Sequence, residues 1–283
     1  MARSLAGRSV RSMFRKIIVG YDGPERSAGT SALAEALRDQ EEGTLVLASA
    51  YCSRPLLVGG FTLPENLDVI RDTTQELLAE ARDALAGAHR IELRAIPSDS
   101  PSRMLADVAE AEHADLVIVG ASRRRERGRP RPGTTAERLV QAAACTVAVV
   151  PPGYTGGDIR RIGVAYDGSP EADSALSAAD SHAADLNAGL TVYCLAEPAA
   201  PAAGAGALLQ AVGERLRHAP SGAVATATRR YRPETQILDG VPADEIAGRS
   251  YGVLDVLFVH RALLGDNVSG GLVRAAGCPV IVS

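Results

Sequence analysis

The residues of this chain whose types and spacing are best suited to chemistry lie between Asp115 and Ala136. The apolar run Leu116–Val119 predicts a buried strand closed by Gly120, and Gly133, followed by two threonines, predicts the start of a helix. The first N–H groups of a helix have no partner within the helix and attract anions. The segment therefore predicts a binding place for phosphate where the strand ends and the helix begins.

A strongly basic segment joins these two elements. It contains six arginines between Arg123 and Arg131, and an arginine side chain can hold phosphate oxygens through two N–H groups at once. A run of charge is more often a solvated loop, and glycine spacing alone is a weak signal. The position of the run, between a buried strand and a helix start, favours phosphate binding, with a plain surface loop as the alternative.

A second candidate is Asp22, which follows the apolar segment Lys16–Tyr21 and precedes Gly23. In a doubly wound sheet, ligands bind at the carboxyl ends of the strands, where the strand order changes direction. A carboxylate there can accept hydrogen bonds from adenine or ribose. Asp-Gly after a strand is also ordinary turn chemistry, and Asp167 has the same surroundings and the same two interpretations.

Other reactive residue types form no recognisable site. The five histidines share no metal-ligand spacing, and no serine lies in a Gly-x-Ser-x-Gly sequence. The four cysteines form no CxxC pair, which predicts reduced thiols rather than a disulfide framework. Cys145 and Cys278 each precede an apolar strand, where buried packing is the expected role.

Strands and helices alternate along the chain, which predicts parallel sheets with helices on both faces. The proline- and glycine-rich residues 151–157 interrupt this pattern and predict a linker. In the first half the predicted strands are Lys16–Tyr21, Thr44–Ser49, Ile91–Ile96, Leu116–Val119 and Thr146–Val150, and the predicted helices include Ala28 to Leu37, residues 66–87, a helix from Pro101, and Ala136–Ala143.

The second half of the chain repeats the first. The matching segments are 16–23 with 161–168, 115–119 with 255–259, and 145–149 with 278–282, at offsets of 145, 140 and 133 residues. The fall from 140 to 133 places a deletion of seven residues in the second copy. The deletion falls on the segment that would bind phosphate, so the two halves are expected to differ in what they bind.

The composition is typical of a two-domain globular protein. The 283 residues are 46% hydrophobic and 23% charged, with a net charge of −4, which excludes a disordered chain and gives no general attraction to nucleic acid. No apolar run reaches the roughly 18 residues that span a bilayer. Residues 1–15 are basic but lack the apolar core of a secretion signal, and they predict a flexible arm on a cytosolic protein.

The segments Val19–Gly23 and Val164–Ser169, the strand before Gly120 and the two Cys-x-Val-x-Val endings resemble the universal stress protein family in its tandem, two-domain form. The resemblance extends from Lys16 to Ser283. It implies one five-stranded parallel sheet per domain, doubly wound and Rossmann-like as in adenine nucleotide alpha hydrolase-like proteins, with ATP at the strand ends. It also implies that the two domains pair through their last strands as an intramolecular pseudo-dimer, with a further homodimer left open.

In family members that hold ATP, the signature is Gly-x2-Gly-x9-Gly-Ser/Thr, and here Arg123 stands at its second glycine. The Arg123 side chain either blocks the approach of the nucleotide or pairs with phosphate. The resemblance implies that ATP, with or without Mg²⁺, binds to domain 1 only. It implies Gly20, Tyr21, Asp22, Ala50 and Val119 for adenine and ribose, and Gly120, Arg123, Gly133, Thr134, Thr135 and Ala136 for ribose and phosphates.

The second copy departs much further from the signature. His260 replaces its first glycine, and Asp266, which aligns with Gly133, would place a negative charge beside phosphate. We therefore expect no ATP in the second domain. The predicted limits are a flexible arm at 1–15, domain 1 at 16–151, a linker at 152–160 and domain 2 at 161–283.

These features predict a cytosolic, bacterial stress-response protein that works by nucleotide-dependent signalling and by binding an unidentified protein partner. Efficient catalysis is not expected, because no general base is placed to activate water. The alternatives are an interaction scaffold with both sites lost and a nucleotidyl- or phospho-transfer enzyme. A nucleic-acid role is the weakest, since few aromatic residues are available for stacking. Nucleotide binding is expected to order the Arg123–Arg131 segment.

Overall fold

The computed structural model describes residues 14–52, 56–58, 61–63, 67–85, 90–126, 129–131, 134–196, 210–216, 234–239, 254–264 and 276–283. Residues 1–13 of the predicted arm, Gly133 and Asp266 lie outside the described residues. The arm was predicted to extend to Arg15, and this limit is wrong. Phe14 is buried in the core, and the Arg15 N–H donates to the Asp115 carboxylate at 3.0 Å, so both residues belong to the body of the first domain.

The first domain alternates strands and helices as the sequence predicts. Helix α1 starts with Pro24, a residue that fits a first turn because its missing N–H would have no partner there. The elements are β1 (Lys16–Gly20), α1 (Pro24–Leu37), β2 (Thr44–Tyr51), β3 (Leu56–Val58), β4 (Phe61–Leu63), α2 (Leu67–Ala84), β5 (Ile91–Pro97), α3 (Pro101–Ala111), β6 (Leu116–Gly120), β7 (Ser122–Glu126), β8 (Arg129–Arg131), α4 (Thr134–Ala142) and β9 (Thr146–Val150).

The second domain repeats this order in its described residues. Ser169 caps α5, because its hydroxyl accepts a hydrogen bond from the Ala172 N–H at 3.1 Å. Residues 210–216 are also helical. The remaining elements are β10 (Arg161–Tyr166), α5 (Pro170–Leu186), β11 (Gly189–Ala196), β12 (Glu234–Asp239), β13 (Val256–Val259), a 3₁₀ turn (Arg261–Leu264) and β14 (Val280–Val282).

Ten strands form one sheet in the order β12-β11-β10-β13-β14-β9-β6-β1-β2-β5. Five belong to each domain, and within each domain they are parallel. The order changes direction between β1 and β6 in domain 1, and between β10 and β13 in domain 2. The fold is therefore the doubly wound α/β arrangement expected from the sequence, and each domain has one switch point, the place where such sheets bind their ligands.

The two domains meet along β14 and β9, which pair antiparallel with Ile281 opposite Ala148. Both residues are fully buried. This is the pairing of last strands that the resemblance implies. Because the pairing continues the backbone hydrogen bonds of both sheets, neither of these two strands is left as an open edge.

Helices cover both faces of the sheet. Along β1, Ile17 and Val19 face α1 while Ile18 faces the opposite apolar cluster with α3 and α4, since side chains alternate along a strand. Three of the β1 side chains are fully buried. Burial on both faces explains why this strand reads as a continuous apolar run in the sequence.

The linker between the domains packs directly against α1. A Cβ atom on Gly29 would lie 2.6 Å from the Tyr154 carbonyl oxygen, and one on Gly156 would lie 2.7 Å from the Ala32 Cβ. Gly156 also has a φ of +84°, a value that favours glycine. The linker is thus an ordered part of the fold where it crosses domain 1.

Two small antiparallel pairs of strands were not predicted. Strands β3 and β4, for which the sequence predicted no element, form the first pair. Strands β7 and β8 form the second, from Ser122 to Arg131, and this corrects the prediction of a loop at Arg123–Arg131. Both pairs stand outside the ten-stranded sheet. Arginine and proline give the second pair no apolar alternation, which is why the sequence predicted a loop there.

Burial raises the pKa of the Cys145 and Cys278 thiols, and the described cysteines and histidines form no metal-binding group. No group of three or more metal-ligating side chains occurs in the described ranges. Cys278 is buried as expected, and burial raises the pKa of its thiol to about 12, whereas Cys145 is only half-buried. A raised pKa leaves little thiolate, so neither residue is activated as a nucleophile.

Among the helices of the described part of the chain, none combines the length and the apolar character needed to cross a bilayer.

Candidate functional site

The switch point of domain 1 lies between the carboxyl ends of β1 and β6, which are neighbours in the sheet. Asp22 follows β1, and Gly120 is the last residue of β6. The sequence placed these residues 98 positions apart, and the parallel pairing brings both to the same edge. This is where ligands bind in open α/β sheets.

Asp22 is available to a ligand because its side chain is 72% exposed. One carboxylate oxygen lies 2.7 Å from a terminal nitrogen of Arg26, one turn into α1. The Asp22 N–H donates to the Ser27 hydroxyl at 2.8 Å, which fixes the backbone of the turn. Sequence reasoning missed Arg26 and Ser27, although their positions four and five residues after Asp22 were the available signal.

Tyr21 is placed differently from its neighbour Asp22. Its ring packs in the core beside α1 and is 7% exposed, and burial, with a smaller contribution from Glu80, raises the pKa of its hydroxyl. Only the backbone of Tyr21 is left to face a ligand. Gly20 is enclosed as well, since an added Cβ would lie 3.1 Å from Leu105 and 3.2 Å from Val119.

Gly120 is exposed at the end of β6, and it has no side chain to cover the backbone there. A Cβ on this residue would find its nearest neighbours among the described residues at 3.8 Å, the Arg26 carbonyl oxygen, and at 3.9 Å, the Thr30 methyl group. These are ordinary contact distances, so a methyl group fits at this position. A larger side chain would cover the exposed backbone at the end of the strand.

The predicted phosphate-binding helix is α4, which starts at Thr134 and is nine residues long. Ala136 is buried and Thr135 is half-buried in its first turn. We call Gly120 together with this first turn the predicted phosphate site. Arg123 lies in β7, of which the structure describes the backbone alone. Whether the Arg123 side chain blocks the nucleotide or pairs with phosphate therefore stays a prediction with two alternatives.

Ala50 and Val119 lie on the same side of the sheet. Ala50 is near the end of β2, the neighbour of β1, and Val119 is in β6, on the other side of β1. Both pack against the apolar cluster that contains Leu105. Their predicted contact with an adenine base stays a prediction, and their position beside Gly20 is compatible with it.

The equivalent position in domain 2 is filled by protein. His260 follows β13, is 2% exposed, and places its Nε2 atom 3.1 Å from a carboxylate oxygen of Asp167. Its other ring nitrogen accepts a hydrogen bond from the Leu263 N–H at 3.2 Å. Since that nitrogen accepts, Nε2 carries the proton and donates it to Asp167.

The carboxylate of Asp167 is satisfied on both oxygens. Its second oxygen accepts a hydrogen bond from the Ser169 N–H at 3.0 Å. Burial raises the pKa of Asp167, but the hydrogen bonds from Ser169 and the neighbouring His260 outweigh it, so the pKa lies below its ordinary value. Asp167 is therefore a charged, paired structural group, whereas Asp22 faces solvent.

Comparison with known proteins agrees with this architecture. The sequence pattern of the universal stress protein family matches residues 13–151 and again 158–248. A universal stress protein of Thermus aquaticus is 28% identical over 138 residues, which cover 49% of this chain and 99% of that protein. The second match to the family ends before β13, the strand that leads to His260.

Solved structures share the fold of the whole chain. A universal stress protein from Archaeoglobus fulgidus DSM 4304 superposes with a TM-score of 0.70 at 16% identity, covering 96% of this chain and 97% of that one. A protein of unknown function from Pseudomonas aeruginosa PAO1 gives a TM-score of 0.52 at 18% identity over 95% and 92% of the two chains. The two matches along the sequence and the duplicated α/β sheet lead to one conclusion: this chain belongs to the universal stress protein family, with two domains in tandem.

Proposed function

We propose that the protein is a cytosolic stress-response protein that binds an adenine nucleotide, ATP with or without Mg²⁺, in domain 1 and none in domain 2. The observation that carries this proposal is the contrast between the two switch points. Gly120 is exposed and has no side chain at the end of β6, whereas His260 is buried at the same place in domain 2 and pairs with Asp167. The limits proposed for the domains are 14–151, with Phe14 and Arg15 included, and 161–283.

Three features of domain 1 support nucleotide binding. The exposed carboxylate of Asp22 lies at the switch point and can accept hydrogen bonds from a base or ribose. The exposed backbone at Gly120, which no side chain of that residue covers, permits close approach. The first turn of α4 provides N–H groups and a favourable dipole for phosphate. Adenine would lie against Ala50 and Val119, and the phosphates would face Thr134, Thr135 and Ala136.

Calorimetric titration with ATP tests the proposal. We expect about one ATP per chain for the wild type, loss of binding in Asp22→Ala, and unchanged binding in Asp167→Ala. Because Asp22 is exposed, its substitution should leave stability nearly unchanged. Asp167→Ala leaves the buried His260 without its acceptor and should lower the free energy of unfolding by about 1–3 kcal/mol.

The two variants are matched controls, since they make the same change at equivalent positions. The absence of heat and of thermal stabilisation in the folded wild type would reject nucleotide binding and favour an interaction scaffold. Rapid ATP turnover that Asp22→Ala abolishes would instead favour a phospho-transfer enzyme. Two ATP molecules per chain would contradict the assignment of domain 2.

The arginine-rich hairpin offers a second test of the same function. We propose that nucleotide binding orders the segment Arg123–Arg131 and changes the surface that a protein partner meets. Saturating ATP should therefore slow tryptic cleavage within this segment severalfold while cleavage at Arg160, which is exposed in the linker, stays constant. Equal cleavage of the segment with and without ATP would count against the ordering.

A further inference from the structure

Arg261, the residue after His260, crosses from domain 2 into domain 1. One terminal nitrogen of its guanidinium donates to the Ala143 carbonyl oxygen at 2.7 Å, and the other donates to the Cys145 carbonyl oxygen at 3.1 Å. The Ala143 carbonyl lies directly after α4, which ends at Ala142, and Cys145 directly precedes β9. Arg261 therefore binds at the carboxyl end of α4, the helix whose first turn is part of the predicted phosphate site.

The chemistry of this contact suits a helix end. The last carbonyls of a helix have no intrahelical partner and carry partial negative charge, which a guanidinium stabilises. The Nε atom of Arg261 is buried without a hydrogen-bond partner among the described residues. An unpaired buried donor costs free energy, and an apolar side chain at this position would avoid that cost. Packing alone therefore does not account for an arginine at this position.

Arg261 is itself held firmly by domain 2. Its N–H donates to the Ser283 carbonyl oxygen at 2.9 Å, next to β14. The turn that follows it is fixed by the hydrogen bond from the Leu263 N–H to His260, and His260 is bonded to Asp167. The segment 260–263 therefore connects the filled switch point of domain 2, through the hydrogen bonds of His260, to the carbonyls that follow α4 in domain 1, through those of Arg261.

The contact has no counterpart in the opposite direction. The residue equivalent to Arg261 in domain 1 is Ala121, whose N–H donates to the Val150 carbonyl oxygen at 2.8 Å in the same way. An alanine side chain cannot reach across to the other domain. The contact therefore runs in one direction, from domain 2, where His260 fills the switch point, to domain 1, where Gly120 is exposed.

We propose that Arg261 is a positioning residue for phosphate in domain 1, through which domain 2 sets the placement of α4. The inference rests on the proposed function and deepens it. A short helix is stiff, so a shift at its carboxyl end also moves the N–H groups of its first turn. The ends of β1 and β2, where adenine and ribose are proposed to lie, do not touch Arg261. The effect should therefore fall on phosphate-bearing ligands and spare the nucleoside.

The test is calorimetric titration of ATP and of adenosine into the full-length wild type, Arg261→Met and Arg261→Lys. We expect Arg261→Met to weaken ATP binding about tenfold, within the usual range for coupling between sites, with adenosine affinity unchanged. The ATP affinity of Arg261→Lys should lie between those of the wild type and Arg261→Met, because the ammonium group can donate to one of the two carbonyls. Arg160→Met, which removes the same charge from a side chain that is 77% exposed at the end of the linker, controls for long-range electrostatics.

Each other outcome overturns the inference in a recognisable way. Equal weakening of ATP and adenosine by Arg261→Met would mean general damage to the domain. ATP binding that is unchanged in Arg261→Met, or weakened as much by Arg160→Met, would mean that Arg261 does not position α4. If the folded wild type binds no ATP, the proposed function itself fails, and the positioning role fails with it.

Discussion

Gly120→His should lose ATP binding, with an affinity more than about 100-fold weaker than the wild type, or roughly 2.7 kcal/mol. The substitution recreates in domain 1 the arrangement of domain 2, in which His260 fills the switch point and bonds to Asp167. The imidazole would cover the exposed backbone at the end of β6 and compete for Asp22. Closely packed surroundings leave no room for both a ring and a nucleotide. Calorimetric titration of ATP gives the affinity directly.

Gly120→Ala is the matched control. Its Cβ would lie at ordinary contact distance from the Arg26 carbonyl oxygen and the Thr30 methyl group, so most of the ATP affinity should remain. Gly120 has no positive φ that would strain either variant, and both should melt close to the wild type. ATP binding by Gly120→His at wild-type strength would place the nucleotide somewhere other than this switch point.

The stability of the protein should fall by on the order of 3 kcal/mol between pH 6.5 and pH 4 because of His182 alone. This histidine of α5 lies between the rings of Phe14 and Phe258, each 5.4 Å away between ring centroids. Burial lowers its pKa from 6.5 to about 4, so the unfolded chain takes up the proton first as the pH falls. The contribution is complete above pH 6.5 and is lost as the pH falls to about 4.

His182→Leu isolates this effect, since Leu37 occupies the equivalent place on α1, fully buried. The Nδ1 atom of His182 is buried with no partner among the described residues, so an apolar replacement should cost little at pH 7.5. Urea unfolding of both proteins from pH 4 to pH 8 gives their free energies of unfolding. As the pH falls, this free energy should decrease less in the variant than in the wild type. Carboxylates titrate equally in both, and parallel curves would show that His182 contributes no pH dependence.

The sequence was sufficient for the fold because the strands of this sheet are buried on both faces. Apolar runs such as Leu116–Val119 have few alternatives to a central parallel strand, and the recurrence of the same landmarks revealed the duplication. The hairpin of β7 and β8 was predicted as a loop because it lacks this signal. These two strands lie outside the main sheet, and their arginines and single proline carry no apolar periodicity.

The candidate site could be predicted only in part. Asp22 and Gly120 were recognisable because each follows a strand and strand ends meet at one edge of a parallel sheet. Tyr21 was assigned to the ligand with them, yet its ring lies in the core. Whether a side chain at the end of a strand turns inward or outward depends on the helices packed there, which local sequence does not specify.

By itself, the sequence determined the family, the duplicated doubly wound fold, and the difference between Gly120 and His260. The tertiary structure decided what that difference does. His260 and Asp167 are 93 positions apart, as are many pairs that never meet, and only the parallel pairing of β10 with β13 makes them neighbours. Arg261 and α4 are brought together by the antiparallel pairing of β14 with β9 across the two domains. Contacts between distant segments depend on chain topology. Local residue types and their spacing do not specify that topology.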